Sequence, residues 1–326
     1  MFKWAVIGTG GIAHRFVSVL GTPKYGQLRG VLATSIDKAE SFLLSQKDAC
    51  CGGGRSYRDI DALLDDDAID AVYIATPHTL HFEFAQQLLS AHIPVLCEKP
   101  LTVTADEARV LANLSEQNRV FLMEALWTKT LPVWHRVKQL LDSNIIGKVD
   151  HYSADIGFYF PYDKAHRLYD KNLAGGILLD MGVYPISMAN WLSGVPCAIQ
   201  ATSIFSDEGV DLKTMINMTF ANQLTASFTL TTASTTENAF WIYGRNGTIR
   251  VDNLFSAAQG LMYDVGRNKV TETYPFEING FEYQIREAVE CIVGGAIEHP
   301  SVTHQNTLDV MTIVDQIREK VGLDYS

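Results

Sequence analysis

A glycine-rich turn directly after the first apolar run restricts the fold of this chain more than any other feature. Residues 3–7 (KWAVI) are typical of a strand, and Gly8-Thr9-Gly10-Gly11-Ile12-Ala13 follows at once, before a helical pattern at 11–20. In this G-x-G-x-x-A pattern the first glycine permits a tight turn and the second lets backbone N–H groups approach a pyrophosphate. The small third residue lets helix and strand pack closely. An ordinary glycine turn is the alternative interpretation of this segment. The strand before it and the helix after it favour a dinucleotide site at the helix N-terminus.

The N-terminal part of the chain, residues 1–125, alternates short apolar runs with helical patterns. Further strands are predicted at 28–33, 71–75, 94–97 and 120–123, and further helices at 37–46, 58–64, 79–91 and 104–118. Strands that alternate with helices of this length indicate βαβ units. We therefore predict an α/β domain with a doubly wound parallel sheet, which binds the dinucleotide.

The pattern changes in residues 126–326. Helices are predicted at 131–142, 176–192, 283–293 and 307–321, and strands at 148–158, 199–205, 214–220, 224–231, 239–243 and 248–251. A run of strands with helices at either end is typical of an α+β domain, an open and mostly antiparallel sheet covered by helices. We predict that this second domain binds the substrate, with the last helix packing on either domain.

Composition excludes some classes of partner. The 326 residues carry a formal net charge of -11, so the surface repels phosphate backbones and anionic lipid. No apolar run approaches the ~18 residues that a membrane-spanning helix needs, and the first residues do not resemble a signal peptide. The five cysteines have no zinc-binding spacing and are interpreted as reduced thiols. We expect a cytoplasmic protein with no nucleic-acid or membrane partner.

The end of the second predicted strand bears on the choice of cofactor. An NAD site usually places Asp or Glu there for the ribose hydroxyls. This chain has Ala33-Thr34-Ser35-Ile36-Asp37-Lys38, in which Asp37 comes later and is interpreted as a helix N-cap. The hydroxyls of Thr34 and Ser35 can donate to a 2′-phosphate, with Lys38 nearby. The segment weakly favours NADP, and NAD stays open.

Two clusters carry the candidate chemistry. Glu98-Lys99-Pro100 follows the strand at 94–97, and residues just past the carboxyl end of a parallel strand face the ligand crevice. In the segment 175–185 (GGILLDMGVYP), Asp180 and Tyr184 are four residues apart, so they share a face if the segment is helical. A phenol can relay the proton of an alcohol, and an ammonium lowers its pKa from about 10. A helix with one buried tyrosine is the alternative for the second cluster.

A histidine pair follows the predicted strand at 71–75. The segment Thr76-Pro77-His78-Thr79-Leu80-His81 has the spacing His-x-x-His, which two ligands of a metal site can show. No third ligand of suitable spacing stands out, so we predict no metal here.

Taken in this order and spacing, the glycine turn, the Glu-Lys-Pro segment and the Gly-Gly-x-x-x-Asp-x-Gly-x-Tyr segment resemble the glucose–fructose oxidoreductase/inositol dehydrogenase (Gfo/Idh/MocA) family. Residues 95–100 (VLCEKP) and 121–128 (FLMEALWT) are similar to the dimeric dihydrodiol dehydrogenase branch, which includes NADP-dependent D-xylose dehydrogenases. The resemblance extends over nearly the whole chain. It implies a Rossmann domain followed by an open sheet that often forms dimers, hence a homodimer or higher homo-oligomer.

The resemblance also implies roles for individual residues. Lys99 and Tyr184 would be the catalytic pair, with Tyr184 where many relatives have His, and Asp180 would bind substrate hydroxyls or orient the pair. The Lys99–Pro100 bond is expected to be cis. The implied cofactor contacts, besides the glycine turn, are Ala75, Thr76, Pro77, His78, His81, Glu98 and Lys99. The resemblance places Trp127 at the substrate pocket. Phe158 and Phe160, where this sequence departs from the branch, would make the substrate wall aromatic. His166 and Arg167, on a polar segment before Asp180, can reach a substrate, and a solvated loop is the alternative for them.

The sequence thus predicts an NAD(P)-dependent oxidoreductase. Its reaction would move a hydride between nicotinamide and a secondary or anomeric hydroxyl of a sugar, polyol or trans-dihydrodiol. Two alternatives stay open: a non-catalytic NAD(P)-binding sensor of the same fold, and a glycosidase or lyase that recycles bound NAD.

Overall fold

A computed structural model describes residues 1–51 and 53–325 of the chain. Within these residues the chain divides into two compact units. The first unit contains Met1–Thr102, Asp106–Trp127 and Glu277–His304, and the second contains Val103–Ala105, Thr128–Phe276 and the segment from Gln305 onward. A stretch from late in the chain therefore belongs to the unit that begins at the N-terminus. The functional boundary expected between residues 125 and 126 stays a prediction.

The first unit is built on a parallel sheet. Its strands in the described residues are β1 Lys3–Ile7, β2 Gln27–Leu32, β3 Arg55–Tyr57, β4 Ala71–Ile74, β5 Val95–Glu98 and β6 Leu122–Ala125. They lie in the order β3-β2-β1-β4-β5-β6, and each neighbouring pair is parallel. The order changes direction between β1 and β4, which is the topological switch point where open α/β sheets bind ligands. The predicted doubly wound sheet is confirmed.

The helices of the described chain follow the sequence patterns with small shifts. They are α1 Gly11–Val17, α2 Ile36–Ser45, α3 Ile60–Leu64, α4 His81–Ser90, α5 Ala105–Asn118, α6 Pro132–Asp142, α7 Val183–Ser193, α8 Phe281–Val293 and α9 His304–Val321. The predicted N-cap of α2 was wrong: the Ser35 hydroxyl accepts a hydrogen bond from the Lys38 backbone N–H, and Asp37 lies in the first turn. None of these helices is long and apolar enough to cross a membrane.

The second unit contains the predicted open sheet. Its strands in the described residues are β7 Val149–Gly157, β8 Ala198–Phe205, β9 Asp211–Thr219, β10 Thr225–Thr231, β11 Phe240–Gly244, β12 Gly247–Val251, β13 Gly260–Val265 and β14 Asn268–Thr273. They lie in the order β14-β13-β12-β11-β7-β10-β9-β8. Every neighbouring pair is antiparallel except β7 and β10, which confirms the α+β prediction.

One face of this second sheet holds the core of the unit. Trp134 from α6 is fully buried, donates from its ring N–H to the Phe255 carbonyl at 2.8 Å, and meets the Phe240 ring edge-on. The alternate residues of the strands point to the other face, where Trp241 and Tyr243 stack with ring centroids 5.8 Å apart. The sheet therefore has one apolar face and one partly exposed face, as the period of two in its strands dictates.

Candidate active site

The glycine turn after β1 has the shape that a dinucleotide requires. Gly8 has φ +110°, and a Cβ on it would lie 2.4 Å from the Ala75 carbonyl oxygen at the end of β4. Gly10 and Gly11 are the opposite case, because apart from their immediate chain neighbours and the backbone of α1 no described atom lies within 4 Å of the place where a Cβ would stand. Ala13 is fully buried, so the small third residue allows close packing. The turn thus leaves its backbone open to a ligand's phosphates, and the residues present fit the cofactor.

A polar group lies beside this turn, at the end of β2. The Lys38 ammonium donates to the Thr34 hydroxyl at 3.0 Å, and the Lys38 backbone N–H donates to the Ser35 hydroxyl at 3.3 Å. A cavity of about 440 Å³ adjoins them. It is lined by Thr9, His14, Asp37, Lys38, Ser41, Phe42 and Ser45. The three residues that were predicted to choose the cofactor therefore lie together, with one cation and two hydroxyls.

The loop after β4 carries an unsatisfied hydroxyl. Thr76 Oγ1 is buried and has no hydrogen-bond partner among the described residues. A buried polar atom without a partner is costly unless a ligand or water satisfies it. The Ala75 carbonyl and the Thr76 backbone nitrogen lie against Gly8, 2.4 and 3.4 Å from where its Cβ would stand, so Thr76 adjoins the glycine turn. Pro77 then leads into a 3-10 turn, His78–Leu80.

His81 is fully buried at the start of α4. Its Nδ1 lies 2.8 Å from the Pro100 carbonyl oxygen, and its Nε2 lies 3.0 Å from the Thr76 carbonyl oxygen. The ring therefore connects the loops that follow β4 and β5. Burial lowers the pKa of His81, against the two carbonyl groups, which raise it. His81 therefore lies buried between the two loops, with each ring nitrogen within hydrogen-bond distance of a backbone carbonyl oxygen.

At the end of β5, the Tyr73 hydroxyl and the Lys99 backbone N–H both contact the carboxyl group of Glu98. The Tyr73 hydroxyl donates a short hydrogen bond to Glu98, and the Lys99 backbone N–H donates to the same carboxyl group at 3.3 Å. Burial raises the pKa of Glu98 to about 7, although the Tyr73 hydrogen bond and the charge of Lys99 lower it. The Lys99–Pro100 peptide is cis, which confirms the expectation. Tyr73 was not among the predicted residues, because it lies inside a buried strand.

In the second unit, two glycines shape the segment that carries Asp180 and Tyr184. A Cβ on Gly175 would lie 2.7 Å from the carbonyl oxygens of both Arg167 and Leu168. Gly176 has φ +103°, and a Cβ on it would lie 2.1 Å from Asp211 Oδ1. Neither position has room for a side chain, which explains the Gly-Gly pair of the motif.

The segment itself is not one regular helix. Leu178–Gly182 forms a π-turn, and α7 begins directly after it. Single π-turns occur often at functional sites. Pro185 is the third residue of α7 and lacks the N–H that would otherwise bond back to a carbonyl group of the preceding π-turn. Asp180 and Tyr184 therefore lie on either side of a junction between turn and helix, with 7% and 8% of their surface exposed.

Asp180 is paired. Arg167 Nη2 lies 3.1 Å from its Oδ1 and 3.2 Å from its Oδ2. The Arg167 side chain is about half exposed and that of Asp180 nearly buried. The sequence left Arg167 open between a substrate contact and a solvated loop, and the structure shows that it holds the carboxylate of Asp180 in one orientation.

The rings of the predicted aromatic wall lie near one another in the second unit. The ring centroids of Phe158 and Phe160 are 6.2 Å apart, and those of Phe160 and His166 are 6.1 Å apart. Phe160 keeps 37% of its surface exposed, which leaves an apolar ring for a ligand. The structure thus brings together three of the five predicted substrate residues, Phe158, Phe160 and His166.

Trp127, another predicted substrate residue, lies in the first unit. Its ring packs against Phe281 at 4.9 Å, the Arg15 guanidinium lies 4.6 Å from its centroid, and only 6% of it is exposed. A ring packed in this way can offer a ligand no more than an edge.

Family comparisons agree with this architecture. The model of an oxidoreductase family with an NAD-binding Rossmann fold matches residues 2–126, and that of the GFO/IDH/MocA C-terminal domain matches residues 134–250. Fold and sequence together define an NAD(P)-dependent oxidoreductase. The chain belongs to the Gfo/Idh/MocA family, as its motifs predicted.

Individual relatives are distant in sequence but match over their full length. A trans-1,2-dihydrobenzene-1,2-diol dehydrogenase from Danio rerio is 29% identical over 99% of this chain and 98% of its own. A D-xylose 1-dehydrogenase (NADP(+)) from Hypocrea jecorina is 28% identical over 99% of this chain and 93% of its own. Among solved structures, a 3-ketoreductase from Actinomadura kijaniata in complex with NADP and TDP-benzene has a TM-score of 0.86 at 25% identity, with 98% of each chain covered.

Proposed function

We propose that this enzyme moves a hydride between nicotinamide and a carbon that carries a secondary or anomeric hydroxyl, in a sugar, polyol or trans-dihydrodiol. The observation that carries the proposal is the constrained segment 175–184, where two glycines, a π-turn and an ion pair fix the stretch of backbone that carries Asp180 and Tyr184. The names of the relatives support the substrate class, because they include a diol dehydrogenase and a xylose dehydrogenase.

The proposed roles follow from the chemistry of each side chain. The bound cofactor would supply the hydride acceptor or donor. The Lys99 ammonium lowers the pKa of the Tyr184 phenol so that it ionises near neutral pH, and the resulting phenolate takes the proton of the substrate hydroxyl as the hydride leaves the carbon. Asp180, oriented by Arg167, binds a substrate hydroxyl. The proposal includes the meeting of Lys99 and Tyr184 at one nicotinamide ring, with nucleotide binding in residues 1–125 and substrate binding in residues 126–326.

For the cofactor, we propose contacts from both sides of the switch point. The residues of the glycine turn, Gly8–Ala13, would hold the pyrophosphate, and Ala75, Thr76, Pro77, His78 and Glu98 would line the nicotinamide side. His81 would support this loop from behind, because its ring is fully buried. On the substrate side, Phe158, Phe160 and His166 would form the wall, with Trp127 contributing an edge.

We propose that NADP is the preferred cofactor. Thr34, Ser35 and Lys38 offer two hydroxyls and one ammonium at the end of β2, which suits a 2′-phosphate. Fluorescence titration of NADPH and NADH tests this. Lys38→Ala should weaken NADPH about tenfold and leave NADH unchanged, since a single charge-assisted contact is lost. Lys47→Ala, an exposed lysine just past the same helix, is the matched control.

Oxidation assays on a panel of aldoses, inositols and diols, with the preferred cofactor, test the reaction. Net reduction of the cofactor by one class supports the proposal and names the substrate class. Two outcomes contradict it. Purified protein with stoichiometric cofactor and no net reduction would favour a glycosidase or lyase that recycles NAD, and tight cofactor binding without any turnover would favour a sensor.

We also propose a cytoplasmic homodimer formed through the partly exposed face of the second sheet. On that face the Arg250 guanidinium lies 4.8 Å from the Trp241 ring centroid, and Met215 is 43% exposed. The five cysteines are free in the described chain, which suits a reducing compartment. Light scattering on the wild type and on Trp241→Glu tests the dimer, since a buried charge should dissociate it. A wild-type mass equal to one chain would contradict the dimer, and fractionation of cells tests the compartment.

A further inference from the structure

A buried carboxylate lies under the start of the Asp180–Tyr184 segment. Asp211, the first residue of β9, is fully buried. Its Oδ2 accepts hydrogen bonds from the Leu178 backbone N–H at 3.0 Å and from the Thr214 hydroxyl at 2.6 Å. Its Oδ1 has no hydrogen-bond partner among the described residues and stands where a side chain on Gly176 would be.

The carboxylate of Asp211 binds the backbone at the beginning of the π-turn. Leu178 is the first residue of the π-turn that carries Asp180 and leads into the helix of Tyr184. The first N–H groups of a helical segment have no partner within it, and a negative charge is stabilising there. Asp211 therefore holds the end of the segment from which both side chains are placed.

The neighbours of Asp211 tie the same strand to the loop of Arg167. Val210 forms a hydrophobic cluster with Leu168 and Tyr169, and Leu212 packs against that cluster. Arg167 precedes this pair and binds Asp180. The start of β9 thus makes two contacts. The carboxylate of Asp211 binds the π-turn, and Val210 packs against the loop that follows Arg167.

We propose that Asp211 is a positioning residue, whose ionised carboxylate fixes the Leu178 amide and thereby the placement of Asp180 and Tyr184. This inference rests on the proposed function, because it assigns Asp211 a part in that reaction.

The protonation of Asp211 falls in the range where the enzyme can be assayed. Burial raises its pKa to about 7, although the Thr214 hydroxyl and the Leu178 and Ile177 backbone N–H groups lower it. Tyr325, in the C-terminal segment, also faces Asp211: burial raises the pKa of Tyr325, and the charge of Asp211 raises it further. The Arg318 guanidinium lies 4.7 Å from the Tyr325 ring centroid and lowers that pKa.

The sign of the pH effect follows from this shift. Below its folded pKa, Asp211 takes up a proton and loses the charge that holds the π-turn, so turnover should fall as the pH falls through about 7. Stability changes in the other direction. A raised pKa means that the ionised form is disfavoured in the folded state, so the contribution of Asp211 to stability is lost as the pH rises through about 7.

Asp211→Asn tests the proposal, because asparagine keeps an oxygen for the Leu178 amide and never ionises. The measured quantity is the ratio of wild-type kcat to variant kcat, in which the titration of other groups such as Glu98 cancels. We expect a ratio near one at about pH 5.5 that rises to at least about tenfold at about pH 8.5, with cofactor affinity unchanged. The melting temperature of the variant should rise relative to the wild type over the same range.

Thr214→Val is the second variant, and it leaves Asp211 in place. It removes a donor that stabilises the ionised carboxylate, so the midpoint of its kcat–pH profile should move to higher pH. Asp59→Asn is the control: Asp59 caps α3 by accepting from the Ala62 backbone N–H at 2.9 Å, and its loss should not change kcat at any pH.

Hydrogen exchange at the amides of 176–188 supplies a readout that needs no turnover. Exchange there should be faster in Asp211→Asn than in the wild type at pH values above about 7, and equal in Asp59→Asn. A flat kcat ratio, or unchanged exchange in this segment, overturns the positioning role. A wild type that turns over no substrate defeats the proposed function instead, and the exchange measurement then decides alone whether Asp211 holds the segment.

Discussion

The two parts of the proposed active site are held in place by different means. In the first unit, Lys99 follows a strand in the interior of a parallel sheet, and His81 fixes the loop by its contacts with two backbone carbonyls. In the second unit, Asp180 and Tyr184 lie on no strand. Their segment is placed by two glycines, by Arg167 and by the side chain of Asp211.

This difference has a physical consequence. A residue at the end of a buried strand inherits its position from a ladder of backbone hydrogen bonds, which do not titrate. A segment held by side chains inherits the ionisation and packing of those side chains, so pH and single substitutions act on it directly. We therefore expect the second region to be the more sensitive one, and four predictions test this comparison.

The largest effect should come from removing either catalytic group. Lys99→Met and Tyr184→Phe should each lower turnover by about a hundredfold or more and leave cofactor binding nearly intact. If the two groups act as a unit, the double variant should be little worse than the poorer single variant. Steady-state kinetics and NADPH titration measure this.

Tyr152→Phe is the control for the tyrosine, since it removes a buried hydroxyl that lies 2.6 Å from Ser193 Oγ in the same unit. It should leave turnover unchanged. Near-normal turnover of Lys99→Met or Tyr184→Phe with the true substrate would show that the roles are assigned to the wrong residues.

The next effect concerns the glycines of the second region. Gly176→Ala should lower the free energy of unfolding by more than about 2 kcal/mol, because the new Cβ meets the carboxylate of Asp211 and the backbone is left-handed. Gly209→Ala separates the two causes: it also has positive φ but has open space, so it should lose about 1 kcal/mol. Urea unfolding measures both free energies. Equal losses in the two variants would mean that Asp211 moves away from the new Cβ and that only the backbone conformation is costly.

A smaller effect is expected for the ion pair. Arg167→Met removes the guanidinium that orients the carboxylate of Asp180, so the KM for substrate should rise about tenfold while kcat changes less. Lys164→Met removes another cation of the same loop, one that binds Glu208 at 3.0 Å, and serves as the control. An unchanged KM in Arg167→Met would show that the orientation of Asp180 by Arg167 does not contribute to substrate binding.

The smallest effect should arise in the first region. Tyr73→Phe deletes a hydrogen bond that lowers the pKa of Glu98, so this pKa should rise from about 7 to a higher value. If the ionised carboxylate of Glu98 is needed to hold the Lys99 backbone, the acidic limb of the kcat–pH profile should move to higher pH. The kcat at neutral pH should fall by no more than about threefold. Tyr57→Phe deletes a comparable bond, to Asp66, and should leave the profile unchanged. A shift as large as that of Thr214→Val would break the comparison between the regions.

The first region could be predicted well from the sequence, for a physical reason. Buried parallel strands are continuous apolar runs, and the residues after them must face the crevice, so Lys99 and the loop of Thr76 were placed by pattern alone. The strand β3 was missed because it has only three residues. The misplaced cap of α2 shows that two neighbouring capping residues, Ser35 and Asp37, cannot be ranked without the backbone.

For the second region the sequence offers candidate residues, whose roles stay a prediction, but it does not reveal what holds them in place. The motif of glycines, acid and tyrosine is visible in the sequence, whereas the π-turn has no sequence period of its own. Asp211 stands 33 residues beyond Leu178 in the chain and three residues before the strand predicted at 214–220, so nothing local marks it as a partner. The strand β14 was missed because it is an exposed edge strand without apolar alternation.

The segment Glu277–His304 has a consequence for how the chain reaches its folded state. It belongs to the unit that begins at Met1, and the Leu122 backbone N–H donates to the Ile297 carbonyl at 3.0 Å. A ribosome releases the N-terminus first, so the parallel sheet emerges long before the helix that completes its unit has been synthesised. A fragment that stops near residue 125 should consequently expose apolar surface and aggregate during expression, whereas the same fragment joined through a short linker to residues 277–304 should stay in solution.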